Sequence, residues 1–302
     1  MKRSLSIRAW GLGLAAWIGL ATAHAQDVLT QHNDNARTGA NLHETHLNAS
    51  NVNAQHFGKL FERSVDGSIY AQPLYASGVN TASHGVRNVI YVATMHDTVY
   101  AFDADDPHAS SPLWTASLGP SVPLHDPNIG GGGGYNDISG EVGITSTPVI
   151  SRAHNAIYVV TLTKIGNVYA HHLHALDLGS GQELFGGPRN IAATVPGTGG
   201  GSANGSVSLV NHLQNQRPAL LLANDMVYMA FASWATRGRT MAGSWVTAPP
   251  ACSRCRKRST RPPTAASAES GKPVRVPPRI PTTTSTSSPA TARSAWIRSS
   301  EK

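Results

Sequence analysis

The chain has 302 residues, of which 40% are hydrophobic and 14% charged, a composition that excludes a wholly disordered protein and supplies one large domain or two ordinary ones. Its formal charge of +7 is unevenly divided: residues 1–234 carry a balance of −4 and residues 235–302 one of +11. The basic character belongs to the C-terminal stretch, so the body has no electrostatic footprint for nucleic acid.

Lys2, Arg3 and Arg8 precede an uncharged run from Ala9 to Ala21, and Ala23-His24-Ala25 then places small residues where a signal peptidase reads. The pattern predicts a cleaved leader over 1–25, a mature start at Gln26, and a secreted or periplasmic protein. The apolar run is shorter than the roughly 20 residues that a membrane span needs. No membrane span is expected.

Three Pro-centred strand starts follow: Tyr70-Ala71-Gln72-Pro73-Leu74-Tyr75, Thr145-Ser146-Thr147-Pro148-Val149-Ile150 and Asn215-Gln216-Arg217-Pro218-Ala219-Leu220. Each leads to a β-branched or aromatic run in which a tyrosine recurs, at Tyr91, Tyr158 and Tyr228. A third strand, Val99 to Asp103 and Leu173 to Asp177, completes the first two units before a turn, and Trp114 and Phe185 stand where a bulky aromatic closes each sheet. The expected fold is all-β, with about three four-stranded antiparallel blades over 26–234 and no helix of any length after the leader. Such small sheets cannot bury both faces alone and must stack on copies of themselves. An incomplete ring leaves an open edge, which predicts self-association.

Several groups invite a chemical reading. Asp137 and Glu141 lie just before the second unit, where propeller loops build binding sites. The pair is the candidate cofactor-binding position, able to hold a cation or to act as acid and base; the plainer reading has both residues capping turns. His172 and His174 share a strand face, but without a carboxylate at a recognisable spacing they read as surface residues rather than metal ligands. Gly130 to Gly134 lack the Lys-Ser/Thr of a phosphate-cradling loop. Arg37 beside Asn33, Asp34 and Asn35 reads as a turn with a buried ion pair. No metal site is expected.

From Ala235 onward the chain contains no Leu, Phe, Tyr, His, Asp, Asn or Gln, while Arg, Ser, Thr, Ala and Pro dominate. Two readings stand: a disordered basic tail over 235–302, or a stretch translated out of frame. The codons of Arg239 to Thr247, read one register on, permit Tyr-His-Gly-Trp-Val-Leu-Gly-Tyr, which has the character of a strand. Cys252 and Cys255, a lone Cys-x-x-Cys, fall in this stretch and supply too few ligands for a structural zinc site.

Ala175-x-Asp177-x-x-Ser180-Gly181-x-x-x-Phe185 resembles the repeat of the quinoprotein-dehydrogenase-like (PQQ-like repeat) β-propellers, with Phe185 in place of the docking Trp. Ala101-x-Asp103 and Trp114 match in part, through a loop that is one residue longer and lacks the Gly. Asn35 to Asn41, Leu47, Asn51-Val52 and Phe57 to Phe61 resemble the lead-in segment of the same proteins. The resemblance covers roughly 27–233 and implies a propeller of up to eight blades, of which about three stand here. It also implies that catalytic relatives pack pyrroloquinoline quinone on a ring of two adjacent bonded cysteines and hold Ca²⁺ with Glu, Asn and Asp. No cysteine occurs between Gln26 and Trp234. The expectation is therefore a non-catalytic binding or scaffold module with no cofactor, whose partner is a protein or an unidentified small molecule. The alternative is a pyrroloquinoline-quinone- and Ca²⁺-dependent oxidoreductase.

Overall fold

A computed structural model describes residues 26–45, 47–123, 125–129, 138–198 and 201–234, together with the backbone of the strand Gly243–Thr247. The first sheet is a four-stranded antiparallel meander, β1 (Leu74–Thr81), β2 (Gly85–Ala93), β3 (Thr98–Asp103) and β4 (Trp114–Ser117). A short ribbon of β5 (Val122–Pro123) and β6 (Glu141–Val142) intervenes. The second sheet repeats the meander with β7 (Val149–Ser151), β8 (Ala156–Ile165), β9 (Val168–Asp177) and β10 (Arg189–Asn190). After the ribbon of β11 (Thr194–Pro196) and β12 (Ser206–Ser208), the third sheet contains β13 (Gln214–Asn215), β14 (Leu221–Ala223), β15 (Met226–Ser233) and β16 (Gly243–Thr247). The described residues form no α-helix. The chain is an all-β arc of three successive blades.

Alternation within each long strand explains why the blades stack. Val89 and Tyr91 of β2, with Leu74 and Ala76 of β1, point toward the second blade and bury against Ile157, Val159 and Leu176. The opposite face of that blade, Ala156, Tyr158 and Val160, buries against Val227, Met229 and Phe231 of the third. Each fully buried aliphatic side chain of this kind contributes about 1.5–3 kcal/mol.

The turn after β9 shows what the repeat motif does. Asp177 Oδ1 accepts from the amides of Gly179 and Ser180 and from the Ser180 hydroxyl, closing a tight Asx turn. Gly181, at φ +71°, lies beneath the Trp114 indole of the preceding blade, where a Cβ would stand 2.5 Å from Cε3. The Leu178 carbonyl accepts from both Trp114 Nε1 and the Tyr91 hydroxyl, each at 2.9 Å. Asp103 caps an equivalent turn through the amides of Asp105 and Asp106. The carbonyl of Asp106 accepts from Arg63 rather than meeting a docked Trp, so that turn has no need of the glycine it lacks. Phe185, at φ +59°, sits in a turn before β10 rather than in a strand, edge-on to His154.

The N-terminal strap sews the blades together. Val28 bridges Tyr75 of β1, and Leu29 accepts from the Ile150 amide of β7. Farther along, Asn35 donates to Leu222 O of β14 and Arg37 to Leu220 O. Arg37 was expected in a buried ion pair; instead it donates to neutral oxygens of Thr30, Gln31 and Leu220, while Asp34 accepts from Thr38. The strap must satisfy carbonyls of the last blade, and a guanidinium reaches them where a carboxylate pair would not.

β16 falls inside the stretch read as a tail and pairs with β15 from Val227↔Thr247 to Phe231↔Gly243. The regular third blade therefore extends beyond Trp234 in backbone pairing. Leu124, residues 130–137 and residues 248–302 lie outside the described residues, which removes Gly130 to Gly134, Asp137, Cys252 and Cys255 from structural account.

Candidate functional site

The β2–β3 hairpin turn forms one side of the site. Asp66 accepts from the hydroxyls of Thr94 and Thr98 at 2.8 and 2.7 Å, fixing the turn from below. His96 projects from it with Nδ1 2.8 Å from Glu141 Oε1 and 3.0 Å from Oε2. Glu141, on β6, also accepts from the Ser121 hydroxyl. The His96 side chain is 55% exposed and that of Glu141 25%, so the pair faces solvent. Its bond to Glu141 raises the His96 pKa, against a smaller opposing effect of burial.

Asp97, the next residue, is oriented inward. It is fully buried at φ +55°, and neither carboxyl oxygen has a hydrogen-bond partner among the described residues. Burial, reinforced by the nearby Glu141 charge, pushes its pKa well above the ordinary 3.8. Gly143 closes over it: a Cβ there would lie 2.2 Å from the Met95 carbonyl oxygen and 2.6 Å from Asp97 Oδ1. The arrangement is thus a buried acid beneath an exposed histidine–carboxylate pair. Ser68 and Ser139 extend the polar rim, their hydroxyls 3.5 Å apart, and the Ser139 amide donates to Tyr70 OH.

Of the two expected site residues, Glu141 is here and Asp137 lies outside the described residues. The residues that complete the site, His96, Asp97 and Ser121, were not singled out in the sequence, because their separations from Glu141 are 45, 44 and 20 residues. A hairpin turn carrying adjacent His and Asp was the one available signal.

The histidine strand corrects an expectation. His174 is buried rather than on the surface, and it has a carboxylate partner: Nδ1 lies 2.8 Å from Glu183 Oε2 and Nε2 3.3 Å from Thr161 Oγ1. Glu183 meanwhile accepts from the Ala175 amide. The His172 ring lies 6.3 Å from that of His174, with Nδ1 toward Thr163. His171, on the other face, is buried edge-on to Phe231, and burial lowers its pKa to about 4. His171 thus packs against the third blade, while His172 and His174 meet groups of their own blade. Among the described residues, no group of three or more His, Cys, Asp or Glu side chains is placed to hold a metal ion.

No protein-family model matches the chain, and no curated protein matches it. Among solved structures it is similar to the quinohemoprotein alcohol dehydrogenase from Comamonas testosteroni, at 17% identity and a TM-score of 0.38. The alignment covers 73% of this chain and 25% of that one, so the chain spans a quarter of the length of that enzyme. A likeness at this level assigns neither ligand nor reaction.

Proposed function

We propose that this chain is an exported, non-catalytic β-propeller module that binds a small, donor-rich polar molecule at the His96–Glu141 end of its first two blades. The exposed histidine–carboxylate pair, held by Asp66 and Ser121 above the buried Asp97, is the observation that supports this reading. A carboxylate oriented by a histidine and a serine is a preorganised acceptor for hydroxyl or amine donors. The leader of Lys2 to Ala25 supports export.

Calorimetric titration of the purified chain with a panel of polyols and amines tests the proposal. Binding to one or more of them, lost in Glu141→Gln and His96→Gln, is the expected result. Affinity that is unchanged in both variants would place the ligand elsewhere. Addition of pyrroloquinoline quinone and Ca²⁺ tests the oxidoreductase alternative: a thermal shift accompanied by dye reduction would establish that alternative and overturn the non-catalytic reading.

A further inference from the structure

Each blade opens on a proline-centred start, and the third residue before the proline is Tyr70, Thr145 and Asn215 in turn. Thr145 and Asn215 are each buried to 6% exposure, whereas Tyr70 keeps 39%. The repeat itself has no need of a large aromatic at this position. Tyr70 is nevertheless fixed: its hydroxyl accepts from the Ser139 amide at 3.2 Å, while Ile69 beside it packs onto the cluster of Val65, Val92 and Phe102. An aromatic side chain anchored at its polar tip and open to solvent is a contact platform that loses little entropy when a ligand is laid on it.

The platform adjoins the His96–Glu141 pair through two short segments. Gly67 touches both members of the pair, since a Cβ there would stand 2.9 Å from the His96 backbone N and 3.3 Å from Glu141 Oε1. The Ser68 hydroxyl lies 3.5 Å from that of Ser139, and the Glu141 amide donates to the Ser139 carbonyl at 3.1 Å. Ser139 and Glu141 are two residues apart, so their α-carbons are separated by about 7 Å at most. Ring, hydroxyls and carboxylate therefore fall within the reach of one small ligand.

The chemistry of the set is mixed in a particular way. An ionised carboxylate only accepts, so His96 Nδ1 donates to Glu141 and leaves Nε2 for a ligand. The Ser68 and Ser139 hydroxyls both donate and accept. An amine would use the carboxylate alone and leave Tyr70 without a role. A sugar ring uses every part: its hydroxyls donate and accept, and its C–H face is apolar.

We infer that the ligand of this site is a saccharide, with one face of a pyranose ring laid on Tyr70 and its hydroxyls on Glu141, His96, Ser68 and Ser139. The inference rests on the reading of the His96–Glu141 pair as a binding site and names the class of ligand that the pair takes.

Calorimetric titration of the full chain with the methyl pyranosides of glucose, galactose, mannose and xylose, beside sorbitol and ethanolamine, tests it. One or more of the pyranosides should bind more tightly than sorbitol. Tyr70→Ala should weaken that binding by about tenfold, the loss of one stacked aromatic contact, and Tyr70→Phe should retain most of it. Saturation-transfer NMR on the parent chain does not depend on the variants folding: the C–H protons of one pyranoside face should receive the strongest transfer. Equal transfer to both faces, or parental affinity in Tyr70→Ala, would overturn the inference. Binding of sorbitol or ethanolamine alone, lost in Glu141→Gln, would overturn the saccharide and leave the binding site standing, whereas no binding by any probe would overturn both.

Discussion

Arg37 Nη2 donates to the carbonyl oxygen of Leu220, 3.0 Å away and 183 residues later in the chain. The Leu220 amide donates in turn to Thr147 O of the second blade, so one residue joins the strap, the second blade and the third. The same guanidinium holds Thr30 Oγ1 at 2.6 Å and Gln31 O at 2.7 Å. A fork of fixed geometry serves all three acceptors at once, which a lysine ammonium cannot do.

Replacement of Arg37 by Ala is therefore expected to cost about 1.5–3 kcal/mol, the range for a hydrogen-bonded charged group. Arg37→Lys should recover less than half of it. Urea unfolding measures the loss, and amide exchange should show the Leu221–Ala223 strand opening first. Uniform loss of protection across all three blades would contradict the assigned role of the strap.

Gly143→Ala is expected to be among the most damaging small substitutions in the chain. The added methyl would meet the Met95 carbonyl oxygen at 2.2 Å and Asp97 Oδ1 at 2.6 Å, and a backbone oxygen cannot swing aside as a flexible side chain does. Overpacking of this kind costs about 1–3 kcal/mol. A lowered melting temperature with weakened ligand binding is expected, because Glu141 lies two residues away on the same short segment. Wild-type melting and binding would show that the turn relaxes freely.

Asp97 makes stability fall as pH rises. Its folded-state pKa is raised, by burial first and by Glu141 second, so the folded protein keeps a proton that the unfolded chain releases above about 3.8. The contribution is complete below 3.8 and is lost as pH climbs from there to the raised folded value. Asp97→Asn preserves the shape and removes the ionisation, and should be more stable than the parent at neutral pH with a flatter profile. Denaturant midpoints measured from pH 4 to 8 decide it. A profile indistinguishable from that of the parent would mean that Asp97 does not titrate as a buried acid.

His171 acts with the opposite sign. Burial lowers its pKa from 6.5 to about 4, so the unfolded chain takes up a proton that the folded protein refuses. Stability is complete above 6.5 and is lost as pH falls through that interval toward 4, by about 3 kcal/mol in all. His171→Gln keeps a donor for Asn211 Oδ1 and cannot ionise. It should lower stability at pH 7 and abolish this part of the acid dependence. An unchanged acid limb in the variant would remove His171 from the account.

The amino-acid sequence alone determined the all-β class, the tyrosine-marked second strands and the Asp177-to-Gly181 turn, because these rest on period-two alternation and on hydrogen bonds between near neighbours. It also offered Glu141 as a candidate. What only the tertiary structure decided is which distant groups meet. His96 finds Glu141 because the second blade's β8–β9 hairpin holds Ser121 at Thr163 and Lys164 at Pro120, bringing the linker and β6 against the first blade's turn. Glu183 becomes the partner of His174 through the chain's return beside β9. Asp97 reads locally as one more turn residue, and stacking of the segment bearing Gly143 on that turn turns it into a buried acid. Local alternation states which side of a strand is apolar; the blade that comes to lie against that side sets whether a tyrosine is buried like Tyr158 or left half-open like Tyr228.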